Sequence, residues 1–398
     1  MSPTAESAVL VTCARASLDA HQVDHLRGLL AGPLDWPALL DRARWHGIMP
    51  LLYHHIRATG LAAPPDALAR LRSHFVANAR RNLHLGGELV RLLALLRERG
   101  IVAVALKGPL LAVAAYGDIA LRQFQDLDIL VQPHELTATR ATLREAGYAP
   151  EEAVDPRREP ASRRWRCAEE FVDRRRQIAI DVHWDIVPRV LSVEVDRAWL
   201  LDGVQPLAFA GAQVPVLATG PTILFLCIHG GKHCWDRLEW IAALAEILRR
   251  RRDVPWTALE HHARRAGACR LLYLGLHLAH ALLDAPLPPA VAAAAASDPG
   301  VGRLAQKVLA RLVGGPCAPR SIASAARFQL AARERGRDRA RYGLRLALAP
   351  TVGDWNTVAL PRPLSGAYYL LRPARLAFKY LCRFPNSLHG RPHGRRDR

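Results

Sequence analysis

Apolar side chains in the first hundred residues recur at helical spacing. They do so over Trp36 to Ile56 and Pro65 to Arg81, and Leu85, Leu89, Leu92, Leu93 and Leu96 form one stripe. That stripe ends at Arg97-Glu98-Arg99-Gly100, with basic residues in the last turn and glycine as the stop. The pattern then changes: Ile101 to Leu106 is a run of β-branched and small apolar residues that predicts a buried strand. Lys107-Gly108-Pro109 reads as a tight turn into a helix over Leu110 to Tyr116, since proline suits a first helical turn. After a polar connector from Gly117 to Gln125, Asp126 to Val131 predicts a second strand. Pro133 then opens an amphipathic helix that reaches Ala146 and stops at Gly147.

Residues 150 to 168, rich in proline, arginine and glutamate, read as an exposed loop or insertion. Glu170 to Val172 and Ile178 to Trp184 flank the turn Asp173 to Gln177 and predict a hairpin. From Pro221 the chain is mainly helical, with interruptions at Ala285 to Gly300 and Ala349 to Pro363, and the basic tail from Arg383 lacks apolar periodicity. The expected class is α+β, a small mixed-sheet core between two helical regions. The expected divisions are an N-terminal helical region at 1–85, an α/β core at 86–218, a C-terminal helical domain at 219–382 and a disordered tail at 383–398.

Half of the 398 residues are apolar, enough for two or three domains with real cores. The net charge of +19 and pI near 10.6 point toward nucleic acid, anionic lipid or phosphate-bearing partners. Only four of the 55 basic residues are lysine, at 107, 232, 307 and 379, which is what codon bias in a GC-rich genome produces, so a nucleic-acid surface is not the favoured reading. Seven cysteines without a CxxC pair read as reduced thiols of a cytoplasmic protein. No signal peptide or membrane-spanning run is expected, because the most apolar windows are interrupted well short of about 20 residues.

Alternation along the second strand projects Asp126 and Asp128 from one face, with Leu127, Ile129 and Val131 on the other. In the hairpin, Asp181, His183 and Asp185 oppose Ile180, Val182 and Trp184 in the same way. Carboxylates this close repel one another, and a cation relieves the repulsion. Magnesium, with manganese as the alternative, suits hard oxygen ligands shared with substrate phosphates. The Lys107-Gly108 turn complements the carboxylates, since glycine and a helix N-terminus let a phosphate approach and Lys107 supplies a point charge. Arg122 is set either to reach phosphate or to pair with Asp126. His229 and His233, at i and i+4, offer two zinc ligands without a third; packing or acceptor contact by Lys232, His233 and Trp235 is the favoured reading. His183 orients a phosphate or makes a structural hydrogen bond, and His54-His55 and His261-His262 read as surface pairs.

The ordered set resembles the nucleotidyltransferase superfamily that includes DNA polymerase β and the small antibiotic and toxin-system nucleotidyltransferases. Leu106-Lys107-Gly108, Tyr116-Gly117-Asp118, Arg122, Asp126 to Val131 and Asp181-Val182-His183-Trp184 look more closely like a bacterial family described as uncharacterised nucleotidyltransferases. Trp45 to Tyr53, His229 to Trp240 and Tyr368 to Pro373 extend that resemblance over nearly the whole chain. It implies a nucleotidyltransferase-type mixed sheet, with Asp126 and Asp128 as paired metal ligands and Asp181 as third carboxylate and aid to acceptor deprotonation. Lys107, Gly108 and Arg122 fall on the nucleotide side. The implied substrates are an NTP and an acceptor hydroxyl or phosphate on a small molecule or an intermediate of a peptide or saccharide pathway. Pro109 departs from the superfamily loop, where glycine precedes serine or glycine, and supplies neither hydroxyl nor N–H. Two readings of other classes compete: an inactive nucleotide sensor or scaffold, and a basic adaptor for RNA or membrane surfaces.

Overall fold

The computed structural model describes residues 4–381 apart from 153–162, 316, 352–353 and 355–361. Its first helices are set by their caps. Thr4 opens α1 (Ala5–Cys13), Asp19 and Gln22 form a reciprocal capping box on α2 (Ala20–Ala31), and Asp35 caps α3 (Trp36–His46). Gly47, in the left-handed region at φ 72°, ends α3 and turns the chain into α4 (Met49–Thr59), so the apolar period over 36–56 belongs to two helices. The chain then runs without a break through α5 (Pro65–Glu98), a 34-residue helix that passes through the boundary expected at 85/86.

The sheet contains β1 (Val104–Ala105), β2 (Asp126–Leu130), β3 (Ala149–Pro150), β4 (Ala168–Asp173), β5 (Ile178–His183), β6 (Gln205–Phe209) and β7 (Ala212–Val216), in the order β3-β4-β5-β2-β1-β7-β6. It is mixed: β2–β5 and β1–β7 are parallel and the other pairs antiparallel. The β4–β5 hairpin lies where the alternation predicts it. The β6–β7 hairpin was not anticipated. Helices α6 (Gly108–Tyr116), α7 (Leu136–Glu145) and the short α8 (Arg197–Leu201) connect the strands.

The C-terminal part is helical: α9 (Thr219–Lys232), α10 (Leu238–Arg250), α11 (Trp256–Ala266), α12 (Cys269–Leu283), α13 (Pro289–Ser297), α14 (Pro299–Gly314), α15 (Ile322–Ala332), α16 (Gly336–Leu348) and α17 (Tyr368–Leu381). The expected interruption at 285–300 is corrected, because α13 occupies most of it. Pro289 and Pro299 start helices there instead of breaking them. The tail at 383–398 lies outside the described residues. No helix of the described residues is long and apolar enough to cross a membrane.

Two apolar clusters divide the molecule. The smaller packs Leu85, Leu89, Leu92 and Leu96 of α5 on the sheet face that carries Leu127, Ile129, Val131, Ile180 and Val182. The larger unites the N-terminal and C-terminal helices with Leu106, Tyr116 and Leu130 on the opposite side. Polar bonds reinforce that union across the chain's length: Ser7 Oγ donates to the Val313 carbonyl at 2.6 Å, and Arg42 Nη2 donates to the Leu312 and Val313 carbonyls at 2.9 and 2.8 Å.

Candidate active site

The parallel β2–β5 register sets Asp128 beside Asp181 and Leu130 beside His183. Because side chains alternate, Asp126, Asp128, Asp181 and His183 share the sheet face turned away from the smaller core. Single ligand atoms of Asp128, Asp181 and His183 lie within 4.8 Å of one another, and this is the one such group of three or more potential ligands among the described residues. Asp126 stands outside that group and flanks it two residues before Asp128. His229 and His233 belong to no such group among the described residues.

Asp128 is the most enclosed of the carboxylates, at 2% exposure. Its Oδ1 accepts from Lys107 Nζ at 2.9 Å and from His183 Nε2 at 3.1 Å. Its Oδ2 is buried with no hydrogen-bond partner among the described residues. His183 Nδ1 lies 3.3 Å from the Asp185 carbonyl, so both ring nitrogens face acceptors, an arrangement that favours a positive charge on the ring. Burial opposes that charge, but the bonds to Asp128 and Cys167 and the Asp128 charge prevail and lift the His183 pKa to about 9. Burial alone would also raise Asp128. The Lys107 charge and the His183 hydrogen bond instead hold it well below the usual carboxylate range.

The remaining acids move the opposite way. Burial and then the Asp128 charge push Asp126 and Asp181 up. Glu170 stands opposite Asp181 across the antiparallel β4–β5 pair, and burial followed by Asp181 raises it too. Sequence reasoning passed over Glu170; counting the hairpin register would have found it. The cluster thus holds more negative charge than Lys107 and His183 neutralise, and it keeps one buried oxygen unpartnered. A divalent cation fits both conditions: Asp128 Oδ2 and Asp181 offer hard oxygens, with Asp126 adjacent.

Lys107, expected to face phosphate, is in this structure the ion-pair partner of Asp128, and attraction to Asp128 and Asp126 overcomes burial to raise its pKa. Gly108 begins α6 with φ +61°, and a Cβ there would sit 3.4 Å from the Asp126 carbonyl, so the position suits glycine. Arg122 does not form an ion pair with Asp126 among the described contacts. Its Nη1 donates to the Gly108 carbonyl at 3.4 Å, its guanidinium lies 5.7 Å from the Phe124 ring centre, and its Nε is buried without a partner.

Arg122 is held from behind by two asparagines that the sequence did not single out. Asn78 Nδ2 donates to the carbonyls of Ala120 and Arg122 at 2.9 and 3.2 Å, and Asn82 Nδ2 to those of Ile119 and Arg122 at 2.7 and 2.8 Å. One turn apart on α5, they secure the segment that carries Arg122. Glu239 is a second omission. It is buried, its Oε2 lacks a partner, and burial raises its pKa against the opposing charges of Arg122 and Arg237. Its carboxylate packs against Gly47, where a Cβ would collide with it.

Lys232 ends α9, and its charge counts among those acting on Asp181. The ring of His233 lies 4.7 Å from His229 and 5.2 Å from Trp240. The expectation of surface histidines is corrected at His55, which is 2% exposed and whose Nε2 lies 2.8 Å from the Arg15 carbonyl.

A family model described as an uncharacterised nucleotidyltransferase covers residues 32–284. No curated protein and no solved structure matches the chain.

Proposed function

The chain belongs to the family of uncharacterised nucleotidyltransferases, and on that premise we propose that it moves a nucleoside monophosphate from an NTP to an acceptor hydroxyl or phosphate. The bond from the acceptor oxygen to the α-phosphorus forms, the bond from that phosphorus to the bridging oxygen breaks, and pyrophosphate leaves. The observation that carries this reading is the Asp128–Asp181 register with one buried Asp128 oxygen unpartnered.

Asp128 and Asp181, with Asp126 beside them, would hold Mg²⁺ or Mn²⁺, which supplies Lewis-acid stabilisation of charge on the transferring phosphoryl group. Asp181, raised by burial and Asp128, accepts the proton of the acceptor hydroxyl. Lys107 and Arg122 offset triphosphate charge beside the Gly108 turn, while His183 fixes the Asp128 carboxylate through Nε2. His183, Lys232 and His233 are the residues assigned to the acceptor side or its support. The six cysteines among the described residues are all free thiols, which supports a cytoplasmic setting. The acceptor class is left at a small molecule or an intermediate of peptide or saccharide assembly.

Incubation with each α-labelled NTP, Mg²⁺ and host extract should give a labelled acceptor that is absent with Asp128→Asn. Label transfer that persists undiminished in Asp128→Asn would overturn the assignment. A second reading, a nucleotide sensor, draws on Pro109 and on Lys107 being engaged by Asp128; it predicts tight NTP binding without transfer.

A further inference from the structure

Far along the chain from the carboxylates, α12, α14, α15 and α16 flank an open cavity of about 410 Å³ lined by Arg270 and the exposed Arg303, Lys307, Arg327 and Arg339 beside Leu304 and Leu330. Among the described residues no acidic side chain lines it. Arg270 is already neutralised: Nε and Nη2 donate to the Asp298 carboxylate at 2.7 and 3.1 Å, while Nη1 donates to the Ala331 and Arg333 carbonyls at 3.0 and 3.1 Å. It serves as a brace that ties three helix ends together.

The other four cations differ. Among the described residues none forms an ion pair, although the chain elsewhere gathers arginines on single carboxylates, with Arg311 and Arg320 both on Asp236 and Arg372 and Arg375 both on Asp354. Arg327 and Arg339 each spend Nε on a backbone carbonyl, Ala323 at 3.4 Å and Arg333 at 2.8 Å. That leaves their terminal nitrogens without acceptors among the described residues. Arg303 and Lys307 are one turn apart on α14 and exposed. Four cations from three helices converge on one concavity of ligand size, with guanidinium forks suited to phosphate oxygens.

We propose that this cavity is a binding site for a compact ligand carrying several phosphate groups, separate from the nucleotidyl-transfer site. The apolar floor at Leu304 and Leu330 accommodates the non-ionic part of such a ligand. Phosphate groups reach the site either on a small polyphosphate or on a nucleic-acid backbone, and the volume favours the former.

The test uses the full chain carrying Lys107→Met, so that the transfer site contributes little to anion binding. Inorganic tripolyphosphate is titrated calorimetrically into this parent, into Arg303→Gln/Arg327→Gln, and into Arg57→Gln/Arg80→Gln, which removes two exposed charges elsewhere. The cavity pair should lose about tenfold or more in affinity and the control pair little. Equal losses in both pairs, or no binding by the parent, overturn the proposal. So does binding of a single-stranded oligouridylate that strengthens with length while tripolyphosphate fails to bind, the signature of an extended polyanion surface. Should the cavity variant misfold, phenylglyoxal modification of the parent read by mass spectrometry gives an independent result. Tripolyphosphate should protect Arg303, Arg327 and Arg339 but not Arg57, and uniform protection counts against the site.

Discussion

Replacing Asn82 tests whether α5 positions the nucleotide side of the site. Its amide makes two hydrogen bonds, 2.7 Å to the Ile119 carbonyl and 2.8 Å to that of Arg122. In Asn82→Ala both are lost. The Arg122 carbonyl keeps the 3.2 Å bond from Asn78, so the Ile119 carbonyl bears most of the loss. A net hydrogen bond contributes about 1 kcal/mol and a buried orphan costs about 1–3 kcal/mol. Against this, Asn82 Oδ1 is itself buried without a partner, and removing it returns part of the cost. The balance is about 1–2 kcal/mol of lost stability, measured by urea unfolding. Asn82→Asp is the sharper probe, because it faces two carbonyl acceptors with a carboxylate in a fully buried position and should lose about 3 kcal/mol or more. NTP affinity should fall in both variants, since the turn bearing Arg122 loosens. If Asn82→Asp proves as stable as the parent, or milder than Asn82→Ala, the donor role argued for this amide is wrong.

Further outcomes follow from other sites. Gly47→Ala should lose about 2–4 kcal/mol in the same urea assay, because the residue sits at φ +72° and its Cβ would fall within 2.6 Å of Glu239 Cδ and closer still to Oε2; a loss below about 0.5 kcal/mol contradicts the packing described. His46 and His55 are kept neutral by burial, each lowered to about 4 from an unfolded value of 6.5. The unfolded chain therefore binds more protons between those values, so their contribution is complete above pH 6.5 and is lost as pH falls toward 4, on the order of 3 kcal/mol per histidine. His46→Gln/His55→Gln should flatten the stability profile in that window, and an unchanged slope removes these residues from the account. Saturating Mn²⁺ at about 100 times its Kd should stabilise the wild type by about 2.7 kcal/mol and chelation should reverse it, whereas Asp128→Asn should show little response in a thermal melt. Gly230→Ala places a Cβ 2.5–2.6 Å from the ring of Trp235, which is fully buried, and should lower the melting midpoint by several degrees.

What the sequence revealed and concealed follows from the range of the signals. Asp126, Asp128 and Asp181 were legible because period-two alternation is local and each strand carries its own apolar face. Glu170 needed the hairpin register, and Asn78 and Asn82 needed knowledge that 119–122 would lie against α5, a relation between segments about 40 residues apart. The β6–β7 hairpin was hidden by Pro206 and Pro215, which pair with each other where proline ordinarily argues against a strand. Its turn, Ala210-Gly211, holds positive φ at both positions without the asparagine that usually signals it. Glu239 belongs to a helix that buries one other carboxylate, Glu246, among apolar residues, and what sets Glu239 apart is its contact with Gly47, far away in the chain. Family membership reached the sequence level because its motifs are short and contiguous, whereas the cavity cations are scattered over α12, α14, α15 and α16.

The bonds from Ser7 and Arg42 to the Leu312 and Val313 carbonyls also bear on synthesis. At about 5–20 residues per second, a ribosome needs roughly 15–55 seconds to travel from the codon for Arg42 to that for Val313. Once clear of the ribosome, α1 and α3 wait for about that long for the α14 carbonyls that Ser7 and Arg42 bind. Slowed elongation between these points would lengthen that wait.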